Sequence, residues 1–155
     1  SNYAENKLRI EQLVAQFTDK HFTLRISNVF SNKEVAAGTF FDKVNKTFIN
    51  KGIIKFDVNF NSIRDFITIK SLSEIIMKIN QTKIYGVYNV GSQNGIKIED
   101  ALKLFFKKRD YSKIKKFQTD IIKSQTLNID KLSNLININY NDIHNDVLKE
   151  LASIK

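Results

Sequence analysis

Segments of helical periodicity alternate along this chain with short runs of β-branched and aromatic residues, and that alternation admits few architectures. Ile10, Leu13, Val14 and Phe17 recur at i, i+3, i+4 and i+7, which places them on one face of an opening helix. Phe22 to Phe30 (FTLRISNVF) is short, apolar and closed by Ser31-Asn32-Lys33, the pattern of a buried strand. Phe40, Phe41, Val44 and Phe48 return to helical spacing within Gly38 to Ile49, Gly52 stops them, and Ile53 to Phe60 reads as extended. Arg64 to Ile69 is a short strand, and Ser71 is placed as the N-cap of a helix over Leu72 to Ile79, with Glu74 at the capping-box position. Gly86 to Gly91 (GVYNVG) is a second core strand, followed by a turn at Ser92 to Gly95 and a helix through Ala101, Leu102, Leu104 and Phe105. A Lys-rich tail from Lys107 to Phe117 leads to Leu127–Leu132 and a last helix over Asp142 to Leu151. Helices alternating with strands imply an α/β layer arrangement with parallel strands.

Composition narrows the function classes. At 155 residues the chain supports one domain with a real core. The absence of Cys excludes disulfides, thiolate metal sites, a Cys nucleophile and a CxxC redox pair. No apolar run approaches the roughly 20 residues a membrane span needs, and the first residues lack the basic-then-apolar order of a signal peptide. The expectation is therefore a cytoplasmic protein with no membrane partner. The formal charge of +9 comes mostly from Lys scattered through the whole chain, so it reads as a solvated surface and no nucleic-acid partner is expected. His21 and His144 stand far apart without a ligand-type spacing, so no metal site is expected; His21 is placed as a cap on the first helix. Glu99 and Asp100 open a helix and complement its dipole. The Gly91 to Gly95 turn is a weak candidate for backbone contact with phosphate.

Tyr3 and Lys7 lie four residues apart, so on a helix they share a face, and an ammonium beside a phenol favours the phenolate. Tyr111 and Lys115 repeat the spacing, so the pair alone carries no assignment. The order of the motifs along the chain does carry one. YAENKLRIEQLV, LRISNVF, RDFITIKSLSEII and GVYNVGS before a helix together resemble the C-terminal half of the extended short-chain dehydrogenase/reductase family, the NAD-dependent epimerases, dehydratases and reductases of sugar nucleotides. The stretch Leu127 to Leu132 is similar to that family's terminal segment. The resemblance implies an α/β fold: the C-terminal part of a Rossmann-type parallel sheet, about two core strands with flanking helices, plus a small α+β substrate-binding region. Its expected divisions are 1–30 for the catalytic helix and following strand, 31–62 for a substrate segment, 63–106 for the RDF motif through the last sheet strand and helix, and 107–155 for a substrate-side tail.

Carried onto this sequence, the resemblance makes Tyr3 the catalytic tyrosine and Lys7 its partner, both also contacting the cofactor. It makes Asn28 and Arg64 substrate-binding residues, Arg64 through phosphate, a role suited to a permanently charged planar fork. The implied cofactor of the complete enzyme is NAD or NADP, and the implied partner a nucleotide-diphosphate sugar. Two features depart from the family. Gly38, Gly52, Gly86, Gly91 and Gly95 build no GxGxxG fingerprint, and the catalytic Ser or Thr expected about a dozen residues before the tyrosine is absent. The expectation is thus an incomplete catalytic portion, inactive and cofactor-free without an N-terminal Rossmann half. A homodimer through the first helix is also implied, and an open apolar sheet edge is expected. Ser31-Asn32 replaces the usual Gly-Pro, and only about thirty residues separate Phe30 from Arg64. That compactness keeps two alternatives in view: a reductase like those acting on dTDP-4-dehydrorhamnose, and a non-catalytic binding module of the same fold.

Overall fold

The computed structural model describes residues 2–31, 38–107 and 111–153. Asn32 and Lys33, read as closing the first strand, and positions 108–110 of the Lys-rich tail lie outside the described residues. The elements run α1 (Asn2–Phe17), β1 (Phe22–Ile26), β2 (Asn28–Phe30), α2 (Phe40–Lys51), β3 (Ile53–Lys55), β4 (Ile63–Arg64), β5 (Phe66–Thr68), α3 (Ile69–Thr82), β6 (Gly86–Val90), β7 (Ile96–Lys97), α4 (Ile98–Phe105), β8 (Lys115–Phe117), α5 (Asp130–Ile136) and α6 (Tyr140–Ser153). β1 pairs parallel with β6, β2 with β5 and β3 with β8, while β4 and β7 form one antiparallel pair. The expected α/β class with parallel strands and flanking helices is the observed one.

The long strand expected over Phe22–Phe30 is one extended run that changes partner at its middle. Ser27 N–H donates to Val90 O at 2.9 Å, the last bond to β6, and Asn28 N–H donates to Asp65 O at 3.2 Å, the first toward β5. Neighbouring strands separate where a strand switches partner, and a crevice opens at their carboxyl ends.

β5 divides the interior. Successive side chains of a strand point to opposite faces, so Phe66 enters one hydrophobic cluster and Ile67 the other. The first cluster is aromatic, with Phe30, Phe41, Phe66 and Phe105 from β2, α2, β5 and α4. Phe41 stacks on Phe105 with ring centroids 4.8 Å apart, and Phe30 meets Phe66 edge-on at 6.2 Å. The second gathers Ile75 and Ile79 of α3, Tyr88 and Val90 of β6, and Leu132 and Ile136 of α5. α6 serves both, giving Val147 and Leu151 to the first and Ile143 to the second.

One local expectation is corrected. α3 begins at Ile69, and its N-cap is Thr68, whose hydroxyl accepts from Ser71 N–H at 3.0 Å. Ser71 lies inside the helix, buried, because Thr68 at the end of β5 already stands in extended conformation with its oxygen aimed along the helix axis. Leu127–Ile129 lead into α5, which begins at Asp130 and buries Leu132. The expected stop at Gly52 stands, with a left-handed φ of 64° and its N–H donating to Phe48 O.

Residues 115–127 form a strap that runs beside residues 53–65 well beyond the short β3–β8 pairing. Phe56 N–H donates to Phe117 O, Asn59 N–H to Ile121 O, Gln125 N–H to Ile63 O and Asp65 N–H to Gln125 O, each between 2.7 and 3.1 Å. α1 is the opposite case. It contains no buried residue, and the bidentate pair of Arg25 on Glu11, at 2.7 and 3.0 Å, ties it to β1. Leu8, Ile10, Leu13 and Phe17 are each half-exposed or more. β1 has no neighbour on its second edge among the described residues, and Phe22 and Ile26 beside it are exposed. No helix among the described residues is long and apolar enough to cross a membrane.

Candidate functional site

The crevice at the partner switch holds two cavities that share Asn28. The larger, about 730 Å³, lies between the start of β2, the start of α2, the end of β3 and the strap. Asn28 and Arg64 both line it, joined by Lys43, Lys55, Asp57 and Thr119. Its apolar part includes Val29, Val58, Ile98 and a ring pair, Phe40 and Phe56, stacked with centroids 5.2 Å apart and planes 25° from parallel. The smaller, about 600 Å³, is polar and runs from Ser27 and Asn28 past Asp65 to Gln125 and Leu127.

Local sequence explains the placement. Asn28 is held at the switch because its Nδ2 donates to Asp65 O at 2.9 Å, which leaves Oδ1 as its acceptor. Arg64 is braced by donating from Nη1 to the Lys123 and Ile63 carbonyls, so the strap fixes where the guanidinium sits. The remaining N–H groups of a guanidinium with five donors stay available. Lys43 lies on the first turn of α2, which Thr39 caps through Asp42 N–H and Asp42 closes by accepting from Gly38 N–H at 2.7 Å. This resembles a capping box, with Asp42 reaching back to the N–H of the residue before the cap. It brings the helix's amino end to the cavity beside a cation.

Asp65 underlies the whole arrangement. It is 2% exposed and accepts from Ser92 N–H and Ser92 Oγ, both at 2.8 Å, and from Leu127 N–H at 3.1 Å. One carboxylate therefore joins the RDF strand, the turn after β6 and the strap. That use also takes one donor of the Gly91–Gly95 turn: Gly91 and Ser92 are buried, and the Ser92 N–H is spent on Asp65.

Of the four residues singled out from sequence, Asn28 and Arg64 share the larger cavity. Tyr3 and Lys7 stand together elsewhere, on α1, with the Lys7 ammonium 5.6 Å from the Tyr3 ring centre and Tyr3 73% exposed. Neither lines either cavity of the crevice. His21 sits at the end of α1 as expected, its Nδ1 2.5 Å from Thr18 O. Glu99 and Asp100 open α4 as expected and pair with Lys103. Lys43, Lys55 and Asp57 were not singled out. Lys43 carried a usable signal, a cation in the first turn after a Thr-x-x-Asp cap, whereas Lys55 and Asp57 are placed only by the long-range pairing with the strap. Among the described residues no group of three or more His, Asp or Glu side chains is arranged to hold a metal ion.

Among the described residues none packs around Tyr3 and Lys7 to enclose a dinucleotide. α1 contains no buried residue, and Tyr3 is exposed. The one orphaned polar atom nearby, the buried Ser27 Oγ, marks the smaller cavity rather than α1.

No family model matches the chain, and no curated protein does. Solved structures match in fold. A UDP-N-acetylglucosamine 4-epimerase from Methanobrevibacter ruminantium superposes with a TM-score of 0.77 at 19% identity, over 99% of this chain and 52% of its own. An NAD-dependent NDP-hexosamine 5,6-dehydratase of tunicamycin biosynthesis gives 0.74 at 13% identity, over 100% and 55%. ADP-L-glycero-D-manno-heptose-6-epimerase from Helicobacter pylori gives 0.66 at 16% identity, over 99% and 52%. The chain spans about half the length of the structures it matches.

Proposed function

We propose that this chain, which has the fold of the C-terminal half of NAD-dependent sugar-nucleotide epimerases and dehydratases, is the substrate-binding portion of such an enzyme. One observation carries the reading. Asn28 and Arg64, far apart in sequence, line a single cavity whose other charged residues include Lys43 and Lys55. Three cations around one amide and an aromatic pair suit a diphosphate carrying a ring on one side and hydroxyl groups on the other. Arg64 takes phosphate oxygens with the N–H groups its backbone contacts leave over, and Lys43 adds charge at a helix amino end. Asn28 Oδ1 accepts from a sugar hydroxyl.

In the same reading Tyr3 exchanges a proton with a sugar hydroxyl and Lys7 supports its phenolate by charge. Their exposed position on an unpacked helix fits a catalytic pair whose surroundings come from an N-terminal Rossmann half. The described residues do not enclose a cofactor, and hydride chemistry is assigned to none of them.

The test is thermal-shift titration of the chain with uridine, thymidine, guanosine and cytidine diphosphate sugars, beside NAD and NADP. A stabilising shift with a nucleotide sugar, lost in Arg64→Gln, is expected. The reading fails if no nucleotide sugar shifts the chain.

A further inference from the structure

The strap is built differently from the other walls of the crevice. From Phe117 to Thr126 every residue is exposed, while Ile114 before this stretch and Ile129 beyond it are buried. Its large apolar side chains, Phe117, Ile121 and Ile122, are each at least half exposed and enter neither hydrophobic cluster. Hydrogen bonds hold it instead. Besides the backbone pairing, Gln118 Oε1 accepts from Phe60 N–H at 2.6 Å, Ser124 Oγ accepts from Ile63 N–H at 3.2 Å, and Lys123 N–H donates to Ser62 Oγ at 3.0 Å. The run it lies against is fixed independently, since Ile54, Val58 and Phe60 are buried in the aromatic cluster. Hydrogen bonds that exchange with water contribute little net stability, whereas buried apolar area contributes most of it. A segment held this way between two buried ends opens at far lower cost than the elements beside it.

Opening takes the crevice apart. Ser124 to Leu127 are four of the eight residues that line the smaller cavity, and Thr119 lines the larger. The Lys123 carbonyl that braces the Arg64 guanidinium belongs to the same stretch. A ligand lodged between the strap and Asn28 therefore makes contacts in the docked state that the open state lacks. Differential contact of this kind shifts the population toward the docked state.

Resting on the nucleotide-sugar reading above, we infer that residues 117–126 are a latch: they undock from residues 53–65 as a unit while both clusters stay folded, and a ligand in the crevice holds them docked.

Amide hydrogen exchange, followed residue by residue by NMR with and without about 1 M urea, tests this. The Lys123 and Gln125 amides are expected to exchange at least about a hundredfold faster than those of Leu102 and Phe105 in α4, at a rate that urea leaves unchanged, because a small opening exposes little surface. Gln118→Ala removes one strap bond at an exposed position several residues from both reporters. It is expected to speed them about threefold to tenfold, as opening in one unit requires. The uridine, thymidine, guanosine and cytidine diphosphate sugars of the thermal-shift titration are then added in turn. At about ten times its Kd, one that binds is expected to slow the strap amides about tenfold and to leave those of α1, which fray without opening the crevice, at their own rate. Strap amides that share the rate and urea dependence of α4, that ignore Gln118→Ala, or that a bound sugar slows no more than α1, overturn the inference and leave the nucleotide-sugar reading standing. Binding of none of the four sugars overturns both.

Discussion

Asp65 joins three segments through three donors, and its neighbour Gly91 shows how tightly. A Cβ at Gly91 would lie 2.5 Å from Asp65 Oδ2 and 3.1 Å from Ser27 Oγ, so any larger residue pushes the carboxylate off its three donors. Gly91→Ala is expected to lose about 2 kcal/mol in urea unfolding, and Asp65→Ala about 3 kcal/mol, since it leaves buried donors unmet. The double variant should lose at least about 1 kcal/mol less than the sum, because the second change removes the clash created by the first. A different carboxylate sets an acid limit. The Lys46 ammonium at 2.8 Å, then the Gly38 N–H at 2.7 Å, hold Asp42 below the usual carboxylate range. A depressed folded-state pKa gives stability that is complete above the unfolded value of about 4 and is lost as pH falls through the folded one. In thermal melts the parent should therefore exceed Asp42→Asn by a constant margin from neutral pH to about pH 5, and that margin should close at lower pH.

Elements built on periodicity are legible in the sequence, because their signal is local. α1, α2, α4 and α6 each repeat apolar residues at helical spacing, and β6 is a compact apolar run. The strap is not legible. Its QTDIIKSQT core has no period, and it is held by partners about sixty positions away, such as Ser62 Oγ for Lys123 N–H and Ser124 Oγ for Ile63 N–H. Half of the cavity wall goes unread for that reason: Asn28 and Arg64 sit in recognisable motifs, whereas Lys55, Asp57 and Thr119 acquire a common location only when the strap pairs. The cap of α3 stands three residues before the expected one because Thr68 and Ser71 are both good capping types, and only the end of β5 decides between them. Thr68→Val keeps the branched shape and deletes the oxygen, so it should cost about 1 to 2 kcal/mol by chemical denaturation. α1 makes the contrast. A 16-residue helix with no buried side chain has little beyond the Glu11–Arg25 pair to oppose fraying. Its amides should exchange with deuterium orders of magnitude faster than those of α4, whose Ile98, Ala101 and Leu102 are fully buried.

At the scale of the whole molecule the two faces of β5 are covered, by the aromatic cluster on one and the aliphatic cluster on the other, while the α1–β1 side is not. The exposed Leu13 and the 85% exposed Phe17 therefore add to an apolar surface that continues along the open edge of β1. Large exposed apolar patches and unpaired strand edges drive association, and the formal charge of +9 is spread too evenly to protect one face. Sedimentation velocity on the chain alone should show self-association that rises with concentration. Leu13→Glu with Phe17→Glu should shift it to monomer. Because neither side chain is buried in the core, the same variant should keep its unfolding free energy within about 0.5 kcal/mol of the parent. A concentration-independent monomer in the parent would mean that α1 folds back over the β1 edge in solution, and the Glu11–Arg25 tie would then be the hinge of that movement rather than its anchor.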